Sequence, residues 1–344
     1  MARSHARRYE ASPRISPEAS YTIGRVAGYY PLYLFVQVLF GAMFIFADVT
    51  YNGPVSTFFH GIITMTLSQA WFPLHAELWN APTWFLSALT FAMLVLPYAL
   101  PPLAKMRTGA LRKTMLALMA VSLMAKVGYS YDLNCWGIME GVTPPKLMPN
   151  IVYFNSMRFN PFYALLEVLM GVVAARMVMT ESQEETDKSA KSGMPPAVLA
   201  VAMVAGMWTR AAGLVAINDM LFRGLFFIPL FTWFCIRVHK VTVASGGAPK
   251  ASLTRLLAAK PLQYLGSISF AIFMVHGPLG QVFYKKIIAT KLWGVVFTKH
   301  PWFFPYWCIL VLLSAAALQK FFVENKQVQA ATKTATKKIQ GWLA

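Results

Sequence analysis

Apolar positions in this chain gather into long uncharged blocks instead of one-sided stripes. They run over Tyr29–Ala47, Val55–Phe72, Pro82–Leu100, Thr114–Tyr129, Pro161–Met179, Pro196–Trp208, Ile217–Ile236, Leu265–Phe283 and Trp302–Phe322. A helix that crosses a bilayer needs about 20 mostly apolar residues. A helix that is apolar all round has lipid or a core for its surroundings. The blocks therefore predict an all-α, polytopic transmembrane bundle of eight or nine spans. Two are weak. Val55–Phe72 is short and carries His60, Thr64, Thr66, Ser68 and Gln69, and Pro196–Trp208 has only 13 residues unless it extends through Ala211–Val215.

Composition closes off a soluble reading. The 344 residues are 57% hydrophobic and 13% charged, against about 25% charged in a soluble domain. The net charge of +18 would suggest nucleic acid in a soluble protein, but no nucleic-acid motif accompanies it. Nearly all the basic residues lie between apolar blocks, where they set topology and meet anionic headgroups. If Val55–Phe72 is a partial or re-entrant crossing, 22 of the 31 Lys and Arg fall on one side and eight on the other, with Arg223 inside a span. Nine full crossings would mix basic loops onto both faces. The positive-inside rule thus selects eight crossings with both termini on the basic side. Which membrane this is stays open, an organelle included.

The polar stretches divide the chain into a basic tail (1–28), a bundle (29–322) and a second basic tail (323–344). The first tail has no apolar core and is not a secretory signal. Ser182–Ser192 and Val241–Ala251 read as mobile linkers, and Ser130–Asn160 as an ordered loop. The last residues space Lys333, Lys337 and Lys338 among apolar positions, as in a helix lying on a membrane surface. Cys135, Cys235 and Cys308 form no CxxC pair, and a disulfide framework is not expected. Zinc spacing, a Walker loop, GxGxxG and a nucleophile elbow are all absent from the sequence. No metal or bound cofactor is expected.

Five stretches carry a family resemblance, in order. Pro261–Leu279, PLQYLGSISFAIFMVHGPL, resembles the penultimate region of the acyltransferase-3 family, a leucine-glycine-x-isoleucine-serine helix ending in histidine-x-proline. Gly24–Tyr33 resembles the start of that family's third helix, Gln69–Pro97 its tryptophan-phenylalanine-proline loop and following helix, Asn160–Arg176 its glutamate-bearing helix, and Phe321–Asn325 its closing Phe-Val-Glu. The resemblance covers most of residues 21–326. It implies a ten-helix bundle lacking its first two helices, and a reaction that moves an acyl group from a thioester donor of the acyl-CoA type to a hydroxyl. It also exposes departures. The family's Arg-x10-His, whose histidine activates the acceptor, has no counterpart among the six histidines. Arg25 matches the first arginine of a donor-binding Arg-x-x-Arg, but Gly28 occupies the second position. Leu89 stands where many members have glutamate.

The remaining candidates each have a plain structural alternative. His276, beside Gly277-Pro278, is the catalytic candidate; the alternative, favoured about two to one, is a histidine bonded to backbone at a kink. His60 is a polar intramembrane residue, and catalytic and interhelical roles weigh evenly. His75, between Trp71 and Trp79, reads as an aromatic-belt residue. Glu167, Arg223 and Asp219 lie at or near membrane depth and should face a cavity or one another. Glu167, His60 and Arg223 are expected to line such a cavity, with an Arg223–Asp219 pair on one helix face as the alternative for Arg223. Arg25, with Lys105, Arg107, Arg112 and Lys113, would face a donor or, more simply, headgroups.

These observations favour an acyltransferase-like scaffold that has lost catalysis and serves as an accessory or structural subunit of a larger membrane assembly. Its partners would be lipids and other membrane subunits, not nucleic acid. An active membrane acyltransferase acting on a lipid, sugar or pigment hydroxyl is the alternative, and a transporter the second.

Overall fold

A computed structural model describes residues 17–137, 150–248 and 251–342. Among these residues the secondary structure is helical throughout. The helices are α1 (Pro17–Val26), α2 (Tyr30–Leu39), α3 (Gly41–Met65), α4 (Trp84–Lys105), α5 (Thr108–Asp132), α6 (Ile151–Phe159), α7 (Pro161–Thr180), α8 (Gln183–Ser192), α9 (Pro196–Ala211), α10 (Asp219–Phe222), α11 (Ile228–Ala244), α12 (Ser252–Leu257), α13 (Lys260–Tyr284), α14 (Lys286–Trp293), α15 (Phe304–Leu318) and α16 (Lys326–Trp342). Five described segments are long and apolar enough to cross a membrane: Ala81–Lys105, Ile151–Thr180, Asp219–Ala244, Lys260–Tyr284 and Pro301–Val323. Two bent pairs, Pro17–Leu39 with Gly41–Met65 and Gln183–Ser192 with Pro196–Ala211, raise the number to seven. The 25-residue α5 is long enough as well but holds Lys126 in its interior. The protein is an integral, multi-pass membrane protein, and its many outward-facing Val, Leu and Phe side chains are the surface that such a solvent requires.

The described chain divides into two compact units. Ala99–Gln263 forms one, and the segments up to Tyr98 and from Tyr264 form the other. In the latter, Leu32, Tyr33, Val36, Leu86, Ile268, Met274 and Val311 make the core. Proline chemistry shapes its helices. Gly53 adopts φ 78° and ψ 168° inside α3, immediately before Pro54, a conformation open essentially only to glycine. The helix folds back there. Twelve residues of straight helix would separate Asp48 from His60 by about 18 Å, yet their side chains touch at 2.9 Å. The segment Val55–Phe72 is thus the returning arm of a hairpin. Pro278 lies inside α13 and cannot donate to the carbonyl of Met274 one turn earlier. Asn80 Nδ2 donates to that carbonyl instead, at 2.9 Å. Gly277 permits the approach, since a Cβ there would lie 2.6 Å from Asn80 Oδ1.

In the other unit α5 packs along α7 around Leu111, Met115, Met170 and Val173. Asn218 ties the start of α10 to the end of α5, donating to Ser130 Oγ at 2.8 Å and capping Leu221 N at 2.9 Å. A π-helical turn, Arg223–Phe227, joins α10 to α11. The expected linker Ser182–Ser192 is in fact a helix. Ser182 and Glu185 form a reciprocal capping box, which satisfies two N-terminal donors and offsets the poor propensity of the stretch. Its far end is held by Arg237, whose guanidinium donates to Ser189 O at 2.7 Å, Ala190 O at 3.1 Å and Met194 O at 2.8 Å. The second expected linker is helical through Ala244. The predicted Ser130–Asn160 loop is helical at Ser130–Asp132 and Ile151–Phe159, and residues 138–149 lie outside the described residues, as do residues 1–16 of the basic tail. The C-terminal stretch forms α16, which has no buried residue.

Candidate functional site

The hairpin in α3 assembles a line of polar groups inside an apolar unit. Asp48, on the outgoing arm, accepts from His60 Nδ1 at 2.9 Å, from Trp79 Nε1 at 2.9 Å and from Asn52 Nδ2 at 2.7 Å. His60, on the returning arm, is 2% exposed, and its Nε2 lies 2.9 Å from Nδ1 of His75. Phe44 stacks on Trp79, and the edge of Phe59 meets the His75 ring. A side chain at Gly61 would touch the Trp79 ring, so the hairpin closes tightly against the loop that carries His75 and Trp79.

The hydrogen bonds assign the protons. A carboxylate taking three N–H donors is ionised, so His60 holds its proton on Nδ1. In a neutral His60, Nε2 then accepts from His75 Nδ1. That leaves the Nε2 lone pair of His75, which has no hydrogen-bond partner among the described residues. His75 is half-buried, and burial, followed by the neighbouring His60, lowers its basicity below the ordinary value of 6.5, against a smaller pull upward from Asp48. A neutral imidazole with a free lone pair is a general base. Once protonated, it can hand its Nδ1 proton to His60, whose imidazolium rests against Asp48. Among the described residues no three His, Cys, Asp or Glu are grouped to hold a metal ion; Asp48, His60 and His75 run in a line and do not converge on a point.

Lys285 lies near this line. Its ammonium sits over the Tyr51 ring, 6.0 Å from the centroid, and burial lowers its basicity against the opposing charge of Asp48. It also lines a cavity of about 470 Å³ with His276, Gly277, Gln281 and Trp307. His276 Nδ1 points back to Ile272 O at 3.2 Å, the structural alternative foreseen for it. The carbonyl that Pro278 frees, however, is served by Asn80. Arg25 is exposed in the last turn of α1, over the ring of Tyr21 at 5.2 Å. A Cβ at Gly28 would lie 3.2 Å from the Arg25 carbonyl.

Glu167 and Arg223 meet in the other unit. Arg223 Nη2 donates to Glu167 Oε2 in a close ion pair, and Lys126 Nζ lies 3.4 Å from Oε1. The anticipated Arg223–Asp219 pair does not form, because Asp219 turns to Arg210 at 3.5 Å. Glu167 and Arg223 line a cavity of about 720 Å³, whereas His60 is walled in by Asp48, His75 and Trp79.

Sequence reasoning passed over Asp48, which falls one residue beyond the first apolar block, and set His75 aside. The signal that connects them is Asn52-Gly53-Pro54, a turn signature that reverses the chain between an aspartate and a histidine. A family model described as an acyltransferase domain matches residues 20–319. No curated protein and no solved structure matches the chain.

Proposed function

The chain belongs to the acyltransferase-3 family, and on that premise we propose that it is an active membrane acyltransferase, moving an acyl group from a thioester donor of the acyl-CoA type to a hydroxyl of a lipid, sugar or pigment. The observation that carries this reading is the Asp48–His60–His75 line. His75 Nε2 takes the proton of the acceptor hydroxyl as the oxygen attacks the thioester carbonyl. The proton stays on the imidazole pair, stabilised by Asp48, until the thiolate leaving group needs it. Asp48 fixes the tautomers, and Trp79 and Asn52 fix Asp48. Lys285 beside the line offers a cation for the developing oxyanion or the donor phosphates. Arg25 is a donor contact on the basic side, where both termini lie.

A second reading has specific support. Gly28 removes one guanidinium from the donor-binding pair, and bidentate phosphate recognition weakens with it; Leu89 lacks a carboxylate. These changes favour a non-catalytic accessory subunit that binds lipids and neighbouring membrane proteins. The readings separate in one assay. Full-length protein in liposomes is given labelled acyl-CoA and membrane lipid extract. The enzyme reading predicts release of free thiol with label moving to an acceptor, and loss of both in Asp48→Asn. A silent wild-type protein that purifies in a fixed-stoichiometry complex contradicts it.

A further inference from the structure

The cavity in the Ala99–Gln263 unit has the form of a lipid slot. One wall is α7, which presents Glu167, Gly171, Ala174 and Val178 at alternating spacings of four and three, a single helix face of mostly small side chains. The facing wall is a ladder at spacing four, Arg223, Phe227, Phe231, Cys235 and His239, running from the π-helical turn along α11. The small residues leave the space between the walls unfilled, and the cavity volume is about 720 Å³, within the range of about 300–1,000 Å³ typical of ligand pockets. Sixteen residues of helix cover about 24 Å, longer than the roughly 15 Å of hydrocarbon in one leaflet.

Its charge is unbalanced. Lys126 and Arg223 both lean on the one carboxylate of Glu167. Lys126 is also held by Ser122 Oγ at 3.0 Å and is buried. The Arg223 side chain is 51% exposed and lines the cavity, and of its five donors one on Nη2 is taken by Glu167. An uncompensated positive charge at membrane depth is costly, and an anionic group at Arg223 would cancel it. The π-helical turn that carries Arg223, one of two among the described residues, is a feature frequent at functional sites.

We propose that this slot binds one single-chain anionic lipid, with its carboxylate or phosphate head on Arg223 and its chain along Phe227, Phe231 and Cys235. The site does not depend on which histidine acts as the base, and its test involves no acyl transfer. Full-length protein in neutral detergent is photolabelled with diazirine-bearing palmitic acid, and the crosslinked peptides are mapped. Label should fall on residues 223–239 and 167–178. Palmitate should compete at least tenfold more strongly than methyl palmitate, which has the same chain and no charge. Lysophosphatidate competing more strongly than palmitate identifies a phosphate head, and the reverse order a carboxylate; both support the site. Arg223→Gln leaves the Lys126–Glu167 pair balanced and should abolish the preference for acid over ester. Ala175→Phe should block labelling by filling the slot. The proposal is overturned if ester and acid compete equally in the wild type, if Arg223→Gln keeps the preference, or if label maps elsewhere.

Discussion

Each of the two units holds a cluster of ionisable side chains in apolar surroundings, and the clusters are built on opposite plans. In the line Asp48–His60–His75 one carboxylate faces two imidazoles, each hydrogen bond is accounted for, and a single lone pair is left free. In the cluster Lys126–Glu167–Arg223 an ammonium and a guanidinium share one carboxylate beside a large apolar cavity. The first arrangement moves a proton with little reorganisation. The second is fixed by Arg223, since arginine does not give up its proton, and it sets positive charge next to space for a chain. Both place charge in apolar surroundings, but the direction of the imbalance sets what each can do.

The sharpest way to break the comparison is to cut the proton line. His60→Ala should lower the rate of acyl transfer by about 10²–10⁴-fold, the range of general acid–base catalysis, while Lys126→Met leaves the chemical step near wild type. Equal losses in the two variants would show that the clusters do not divide the work in this way. Next in size is Glu167→Gln. It strands the buried Lys126 ammonium as well as the half-exposed Arg223, and removing one partner of a buried pair such as Lys126–Glu167 costs about 3–5 kcal/mol. Thermal unfolding in detergent should register this as a large drop, partly restored in the double variant with Lys126→Met. An unchanged transition would mean that the cations are solvated without Glu167.

Much of this architecture is legible in the sequence. Each apolar block is mostly helical; Leu265–Phe283 lies within α13, and Pro82–Leu100 runs from the short turn before α4 into that helix. The block pattern works because lipid demands both apolar side chains and internally satisfied backbone. Legibility fails where a single residue reverses the chain. Gly53 turns α3 into a hairpin through one φ value, and hydropathy carries no trace of that. It fails again at Ser182–Ser192, where composition suggests a linker but the Ser182–Glu185 spacing specifies a helix start. His276 was singled out by its motif, and the arginine–glutamate contact in the other unit by charge at depth. His75 had neither signal. Its partner lies fifteen positions away across a fold that sequence alone did not define.

Two smaller effects sharpen the picture of the unit that holds the histidine line. Asn80→Ala leaves the Met274 carbonyl, freed by Pro278, without its donor. A buried unsatisfied group costs about 1–3 kcal/mol, so unfolding should shift down measurably, and Pro278→Ala in the same chain should recover part of the loss. The pH profile adds a further check. The folded state holds His75 neutral below its ordinary value of 6.5, so the rate should be flat above that value and fall tenfold per unit below a midpoint lying lower still. Stability follows the same sign. The unfolded chain binds the proton first as pH drops, and the contribution present above 6.5 is lost through the folded midpoint. A midpoint above 6.5 would mean that His75 is stabilised as a cation, against the effect of its burial and of His60.

The most direct measurement sets the two histidines against each other. Full-length wild type, His75→Ala and His276→Ala are given the same labelled acyl-CoA, and single-turnover rates of thiol release are compared. The Asp48–His60–His75 account predicts a fall of about 10²–10⁴-fold for His75→Ala and a rate within a few fold of wild type for His276→Ala, whose Nδ1 is engaged with Ile272 O. The reverse order, with His276→Ala inactive and His75→Ala unimpaired, would contradict it.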